Sequence, residues 1–380
     1  TVDFLTKENQ VLWLSANNIQ SNYFPLKLTR KTIPIVSRNQ HGKSTAYIDL
    51  HENNMLIITG YGSTYSVSIN DLIEKSVPDF LPIENNLYDL VKSKYFWDLE
   101  KKTKFPYPEE MSVKDILVHN DNLFISYNRE VSDECFNTSI LRADLNYNYL
   151  NFENFFDYDD CISGLMPSSS MKGGGGRMFP YKNKLLFTIG DSGSLRSQED
   201  NFLLGKIIEI DLETKNFEII SKGHRNPQGL VYLKDREKIF SSEHGSNGGD
   251  EFNQIFKNKN YGWPISSYGT GPQLYQNHKD HGFEEPLLHF TPSIGPSEII
   301  QVPKEFSEKW SENILLTSLS GRNGYGKSIY RLEMSDDYNS VLEVEQIKIG
   351  DRIRDIKYTS DYNLFILVLE YSNSIGLLYR

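Results

Sequence analysis

The chain has 380 residues and a formal net charge of −11, which argues against nucleic acid or an anionic membrane surface as a partner. No stretch approaches the ~18 consecutive apolar residues of a spanning helix, and the opening at Thr1 without a Met leaves a removed leader, a removed anchor or trimming as expectations. With 23 tyrosines and 21 phenylalanines, the composition favours strands around an aromatic core, large enough to stand without a disulfide framework.

One pattern recurs along the chain: a polar turn, then a short apolar run. It appears as His51-Glu-Asn-Asn-Met-Leu-Ile-Ile, His119-Asn-Asp-Asn-Leu-Phe-Ile, Tyr181-Lys-Asn-Lys-Leu-Leu-Phe-Thr, Lys234-Asp-Arg-Glu-Lys-Ile-Phe, Trp310-Ser-Glu-Asn-Ile-Leu-Leu and Ser360-Asp-Tyr-Asn-Leu-Phe-Ile-Leu. A period of roughly 50 to 75 residues with strands in each unit marks a propeller. The turn would join two strands of a blade, and the apolar run would be a buried inner strand. Further runs such as Thr64-Tyr-Ser-Val-Ser-Ile and Lys206-Ile-Ile-Glu-Ile-Asp-Leu alternate with period two and read as half-buried strands. Residues 70–107 are predicted to be a partly helical insertion between the first two units. No linker or charge block divides the chain, so residues 1–380 are expected to form one all-β domain.

Cys135 and Cys161 lie in polar loops. Two free thiols are one reading. A bridge closing about 26 residues, worth ~3 kcal/mol if unstrained, is the expected one, and with it an oxidising compartment, periplasmic or extracellular.

Three stretches carry candidate chemistry. Between Ser168 and Asp191, four consecutive glycines (Gly173 to Gly176) are predicted to let the backbone approach a ligand, with Arg177 and Asp191 bracketing a strand pair. Between Ser221 and Pro264, Arg225 and Asn226 are held extended ahead of Pro227. The loop from Glu243 to Glu251 can then turn carbonyls toward a common point, and Glu251 and Tyr261 frame a second oxygen site. A guanidinium beside such a loop suits a polyanion bridged by a hard cation such as Ca²⁺. Near the end, Arg352 and Arg354 stand two apart on one face of a strand. Gly321 to Ser328 matches the phosphate-loop pattern G-x-x-x-x-G-K-S, but the residues from Ser328 to Met334 alternate like a strand. A phosphate loop must open a helix, so this one reads as a hairpin.

Gly223-His-Arg-Asn-Pro-Gln-Gly229, Ser242-Glu-His-Gly-x-x-Gly-Gly-Asp-Glu-x-Asn253 and Asn260-Tyr-Gly-Trp-Pro264 together resemble the soluble quinoprotein sugar dehydrogenases, the glucose/sorbosone and aldose sugar dehydrogenase family. The resemblance implies a six-bladed β-propeller that binds pyrroloquinoline quinone (PQQ) through Ca²⁺ and oxidises an aldose or similar alcohol. It implies quinone contacts from Arg225 and Asn226, with Arg225 stabilising charge on the quinone oxygen. Arg352 and Arg354 would hold the PQQ carboxylates, with Arg177 in the same cofactor-binding set. The carbonyls of Gly245 and Ser246 would ligate the cofactor's Ca²⁺, and Glu251 and Tyr261 a second, structural Ca²⁺. Asp191 would fix the base and the cofactor, while His224 and His244 would be structural or lining residues.

Two departures stand against this. The family's basic histidine falls at Gly173 or Lys172, and no histidine occurs between His119 and His224. Lys172 could serve as the base only with a much lowered pKa. The family's lysine is replaced at Ser320-Gly321, where Arg322 or Lys327 could compensate. These gaps favour the alternative of an inactive propeller that binds a glycan, a small ligand or a protein. A lactonase or esterase using Ca²⁺-bound water is a third reading, without a further acidic cluster to support it.

Overall fold

The computed structural model describes residues 17–33, 45–60, 62–90, 113–132, 135–163, 173–270, 277–321 and 324–380. They form six sheets of four or five strands, one for each repeat unit. The innermost strands are Ala46–His51 in blade 1, Val113–His119 in blade 2, Gly175–Tyr181 in blade 3, Pro227–Leu233 in blade 4, Pro296–Gln301 in blade 5 and Ile353–Thr359 in blade 6. Each packs beside the next in chain order, and blade 6 returns to blade 1. The predicted six-bladed propeller is therefore present.

Each polar turn joins the first strand of a blade to the second. Left-handed residues make the reversal: Glu52, Asn120, Asp121, Lys182, Glu237, Glu312 and Asn363. The apolar runs are the second strands, buried inner strands as expected, next to the innermost ones. Leu364–Leu369 is buried throughout, and Leu56 and Ile58 of blade 1 pack with Ile116, Leu123 and Ile125 of blade 2. A second strand is covered by blades on both faces, whereas an innermost strand must also place polar groups in the channel.

Closure was not legible in the repeats. Leu26–Thr32, near the start of the chain, pairs antiparallel with Ser374–Tyr379 at its end. One blade is thus built from both ends of the chain, which ties the ring shut without a free edge between first and last blades. Helical turns occur at Ile69–Glu74 and Leu87–Leu90. Between them Leu81–Asn85 is the fourth strand of blade 1, so this part of the expected insertion belongs to the blade itself. Positions 91–107 lie outside the described residues. Cys135 and Cys161 are bridged, with Cα atoms 5.4 Å apart, beside the pairing of Phe136 with Ile162.

The channel is filled rather than open. Arg177, 2% exposed, reaches from blade 3 to every other blade. Its guanidinium lies 2.8 Å from Asp115, 2.9 Å from Glu298 and 3.6 Å from Asp355. It donates to the carbonyls of Gln228 and Arg354 and stacks over Tyr47, 5.2 Å from the ring centre. The carboxylates also cap neighbouring backbone: Asp115 accepts from Met178 N, and Asp355 from Ile48 N.

Burial pushes Asp115 up to about 6, against the pull of Arg177 and Lys357. Burial likewise pushes Glu298 up to about 8, with Arg177 opposing and Asp355 adding to the rise. A carboxyl raised on folding stabilises fully below its unfolded value, and that contribution fades as pH climbs through the folded one. For Glu298 the window runs from 4.5 to about 8. Glu298→Gln mimics the protonated acid and should flatten this slope. Urea unfolding at about pH 5 and pH 8 should show the wild type losing roughly 2 kcal/mol or more relative to the variant. Parallel profiles would contradict the assignment.

Candidate active site

The loops leading into the innermost strands pair with the loops leaving the second strands. Asp191 N donates to Arg225 O at 2.8 Å, His244 N to Asn226 O at 3.1 Å, and Glu370 N to Arg352 O at 2.9 Å. This pairing gathers residues distant in sequence at one mouth of the channel.

Arg225 is half-buried and donates to the carbonyl of His244 at 3.1 Å. Its guanidinium lies over Trp263, 5.2 Å from the ring centre, and no ion pair engages it among the described residues. Asp191 is buried and committed to holding this arrangement. One oxygen accepts from Ser194 Oγ at 2.6 Å, and the other from Leu195 N at 3.1 Å and Trp263 Nε1 at 3.0 Å. Through Trp263 and through the backbone of Arg225, Asp191 positions the arginine. Asn226 accepts on its side-chain oxygen from Gln228 Nε2 and Gly175 N.

Arg352 and Arg354 share one buried carboxylate. Each Nε donates to a different oxygen of Glu370 at 2.7 Å. Burial would raise Glu370, but the two arginines hold it below the ordinary carboxylate range. One anion thus serves two cations, which leaves positive charge in excess. Tyr47 separates Arg354 from Arg177, its ring centre 5.9 Å from the first and 5.2 Å from the second. Arg225 and Arg354 both act on His244. Burial pushes this imidazole down to about 4, Asp250 opposes, and the two arginines add to the fall. The structure therefore brings Arg225, Arg352 and Arg354 to one mouth. Arg177 lies deeper, with its N–H groups on protein acceptors.

The carbonyls of Gly245 and Ser246 accept no hydrogen bond among the described residues, and Gly245 N is anchored on Asp250 Oδ1 at 2.9 Å. Asp250 is otherwise spent on Ser293 Oγ and the N–H groups of Ile294 and Gly295, so it does not orient Arg225 as a direct partner. Carbonyl oxygens of this kind are the ligand type a hard cation takes. The side chains of Glu251 and Tyr261 do not fit such a cation. Glu251 faces His278 Nε2 at 3.0 Å and Asn253 Nδ2 at 3.1 Å, and the Tyr261 hydroxyl donates to Gln254 O at 2.5 Å. Among the described residues no three His, Cys, Asp or Glu side chains form a metal cluster.

The glycine run approaches protein rather than an open site. A Cβ on Gly190 would fall 1.8 Å from Gly173 O, and one on Gly176 would fall 2.4 Å from Lys114 Cβ. Lys172 and Arg322 lie outside the described residues. Glu370 and Trp263 were missed as site residues. An acid closing the apolar run Phe365-Ile-Leu-Val-Leu was the available signal for the first, and the Tyr-Gly-Trp-Pro motif for the second.

Known proteins share this fold and part of this sequence. The sequence profile described as Glucose / Sorbosone dehydrogenase matches residues 110–379. The uncharacterized protein slr1608 of Synechocystis sp. is 34% identical over 211 residues, 48% of this chain and 50% of its own. The aldose sugar dehydrogenase YliI of Escherichia coli is 25% identical over 221 residues, 53% of this chain and 58% of its own. These matches span about half the length of either relative. Among solved structures, the soluble aldose sugar dehydrogenase of Escherichia coli in its apo form aligns with a TM-score of 0.68 at 19% identity, over 93% of this chain and 99% of that one. The PQQ-bound aldose sugar dehydrogenase of Streptomyces coelicolor aligns with a TM-score of 0.61 at 17% identity, over 93% and 98%. At such identities the structures speak for the fold, and the profile, running from blade 2 to the last strand, speaks for descent: the chain belongs to the glucose/sorbosone dehydrogenase family.

Proposed function

We propose that this chain is a PQQ- and calcium-dependent dehydrogenase of an aldose or similar sugar, acting in the periplasm or outside the cell. The observation that carries the reading is the sharing of Glu370 by Arg352 and Arg354, with Arg225 donating to the His244 carbonyl. Excess cationic charge in a half-buried mouth suits a ligand with several carboxylates. When bound, PQQ supplies the hydride acceptor and Ca²⁺ the Lewis acid.

The chain's own residues then have separate tasks. Arg352 and Arg354 bind carboxylates with the N–H groups that Glu370 leaves over. Arg225 and Asn226 would contact the quinone oxygens, with Trp263 and Asp191 holding Arg225 in place. The carbonyls of Gly245 and Ser246 would hold the cation. The oxygens of Asp191, Asp250 and Glu370 are committed to protein donors, so none of them is free to take a proton. Lys172 is the candidate for that task, since the family's basic histidine falls at Gly173 or Lys172. The bridge between Cys135 and Cys161 supports an oxidising compartment.

Reconstitution tests this reading. The purified chain, mixed with PQQ and Ca²⁺, should show the spectrum of bound quinone and then reduce an artificial acceptor when aldoses are added. Quinone binding without dye reduction would indicate a ligand-binding propeller. No bound quinone would overturn the reading.

A further inference from the structure

We infer that His278 takes the place that the family resemblance gives to a second calcium ion, so that an imidazole of the chain itself secures Glu251 and no cation is needed there. The inference is independent of the proposed function, whose cation belongs to Gly245 and Ser246. Glu251 and Tyr261 are the two residues that the resemblance assigns to the second ion, and His278 stands between them. Its Nε2 meets Glu251 Oε1 at 3.0 Å. A Cβ on Gly262, the residue after Tyr261, would fall 2.5 Å from its Nδ1. One ring thus meets the carboxylate on one side and the backbone beside Tyr261 on the other.

The seat of this ring is built. His278 is 1% exposed. Its own carbonyl accepts from His281 N at 3.0 Å and Phe283 N at 3.1 Å, closing a turn that Gly282 completes at φ 75°. Just before it, Asn277 O accepts from Ser266 Oγ at 2.7 Å, and the Tyr268 ring lies beside the imidazole, 5.2 Å between centres. Gly262 has φ 88°, and a side chain there would close the space that the ring fills.

The contacts do for Glu251 what a metal would. A buried carboxylate needs a compensating charge and partners for its lone pairs. Burial would lower His278, but Glu251, with Glu285 and Glu243 adding to it, holds the imidazole above the ordinary histidine value. The other Glu251 oxygen accepts from Asn253 Nδ2 at 3.1 Å. A calcium ion gathers roughly 6–8 oxygens at about 2.3–2.6 Å, whereas here one carboxylate oxygen faces a ring nitrogen and the other an amide. The support reaches the mouth of the channel. Asn253 Nδ2 also donates to Glu243 Oε1 at 3.1 Å, and Glu243 Oε2 accepts from Arg225 N at 2.8 Å. His278 is therefore the far end of a line of side chains that steadies the backbone of Arg225.

Titration of the metal-free full chain with Ca²⁺ alone, read by calorimetry and thermal unfolding, tests this. Glu251→Gln should keep any ion the wild type takes, with its affinity changed by less than about twofold, because Gly245 and Ser246 do not use that carboxylate. His278→Ala should unfold about 5 °C or more below the wild type in a chelator. It should then take up one calcium ion more than the wild type, in the millimolar range or tighter, and recover part of the loss. A wild-type ion that is lost in Glu251→Gln would put calcium where His278 is assigned and overturn the inference. Equal ion counts in the wild type and His278→Ala would overturn it too, and either comparison decides alone should the other variant fail to fold. Quinone is absent throughout, so the reconstitution above can fail while this inference stands, and the reverse.

Discussion

Exchanging Arg177 for methionine should cost the protein about 3–5 kcal/mol, or its fold altogether. The side chain would still fill volume, but Asp115, Glu298 and Asp355 would face one another without the guanidinium between them. Lys357 would remain, held protonated chiefly by Asp49 and Asp355 against the effect of burial, yet Arg177 is the group that touches every other blade. The carbonyls of Gln228 and Arg354 would also lose their donors. Urea unfolding above about pH 8, where Asp115 and Glu298 are ionised in the wild type, gives the measure, and the combination with Asp115→Asn and Glu298→Gln supplies the control. Removing the stranded acids should return much of the loss, because an unpaired buried charge is the main penalty. A stable single variant would show that the channel does not need its cation.

Arg225→Ala should have the opposite profile, with a large effect on ligand and a small one on stability. Losing a half-buried guanidinium from a charged ligand is expected to cost about 3 kcal/mol, or ~100-fold in quinone affinity. No ion pair among the described residues depends on this arginine, so the melting temperature should barely move. Arg225→Lys should fall between, since an ammonium keeps the charge but not the planar stacking on Trp263. Trp263→Leu should resemble Arg225→Lys in affinity. Quinone titration by absorbance and thermal unfolding together check the pair of effects. Unchanged quinone binding in Arg225→Ala would remove that residue from the site.

These two arginines differ in what reading along the chain can see. Arg225 stands out because it sits in a dense motif next to a proline, and its role at the site is what the quinone titration tests. Arg177 was grouped with it through the family resemblance, yet its guanidinium is engaged by the channel carboxylates. A register clue existed. Asp115-Ile116, Arg177-Met178, Glu298-Ile299 and Asp355-Ile356 repeat a charged residue followed by an apolar one at the third position of the innermost strands of blades 2, 3, 5 and 6. Three acids and one base at equivalent positions of a closed ring must meet on its axis. The same logic separates Glu251 and Tyr261 from Gly245 and Ser246. A motif identifies oxygen-bearing residues, but only the fold shows that His278 and Asn253 already face the Glu251 carboxylate.

Local chemistry determined the six hairpins and the strand that follows Lys327, and made the Cys135–Cys161 bridge the expected pairing, because turn residues, apolar runs and loop spacing act over a few residues or a single closed loop. Tertiary structure decided everything that depends on which blades face each other. It sealed the ring with the first strands, placed Arg177 among the channel carboxylates, gave Arg352 and Arg354 a common anion in Glu370, and laid Lys327 on Tyr371. The physical reason is that a buried or crowded charge takes its meaning from its partners, and in a propeller those partners come from blades far apart in the chain.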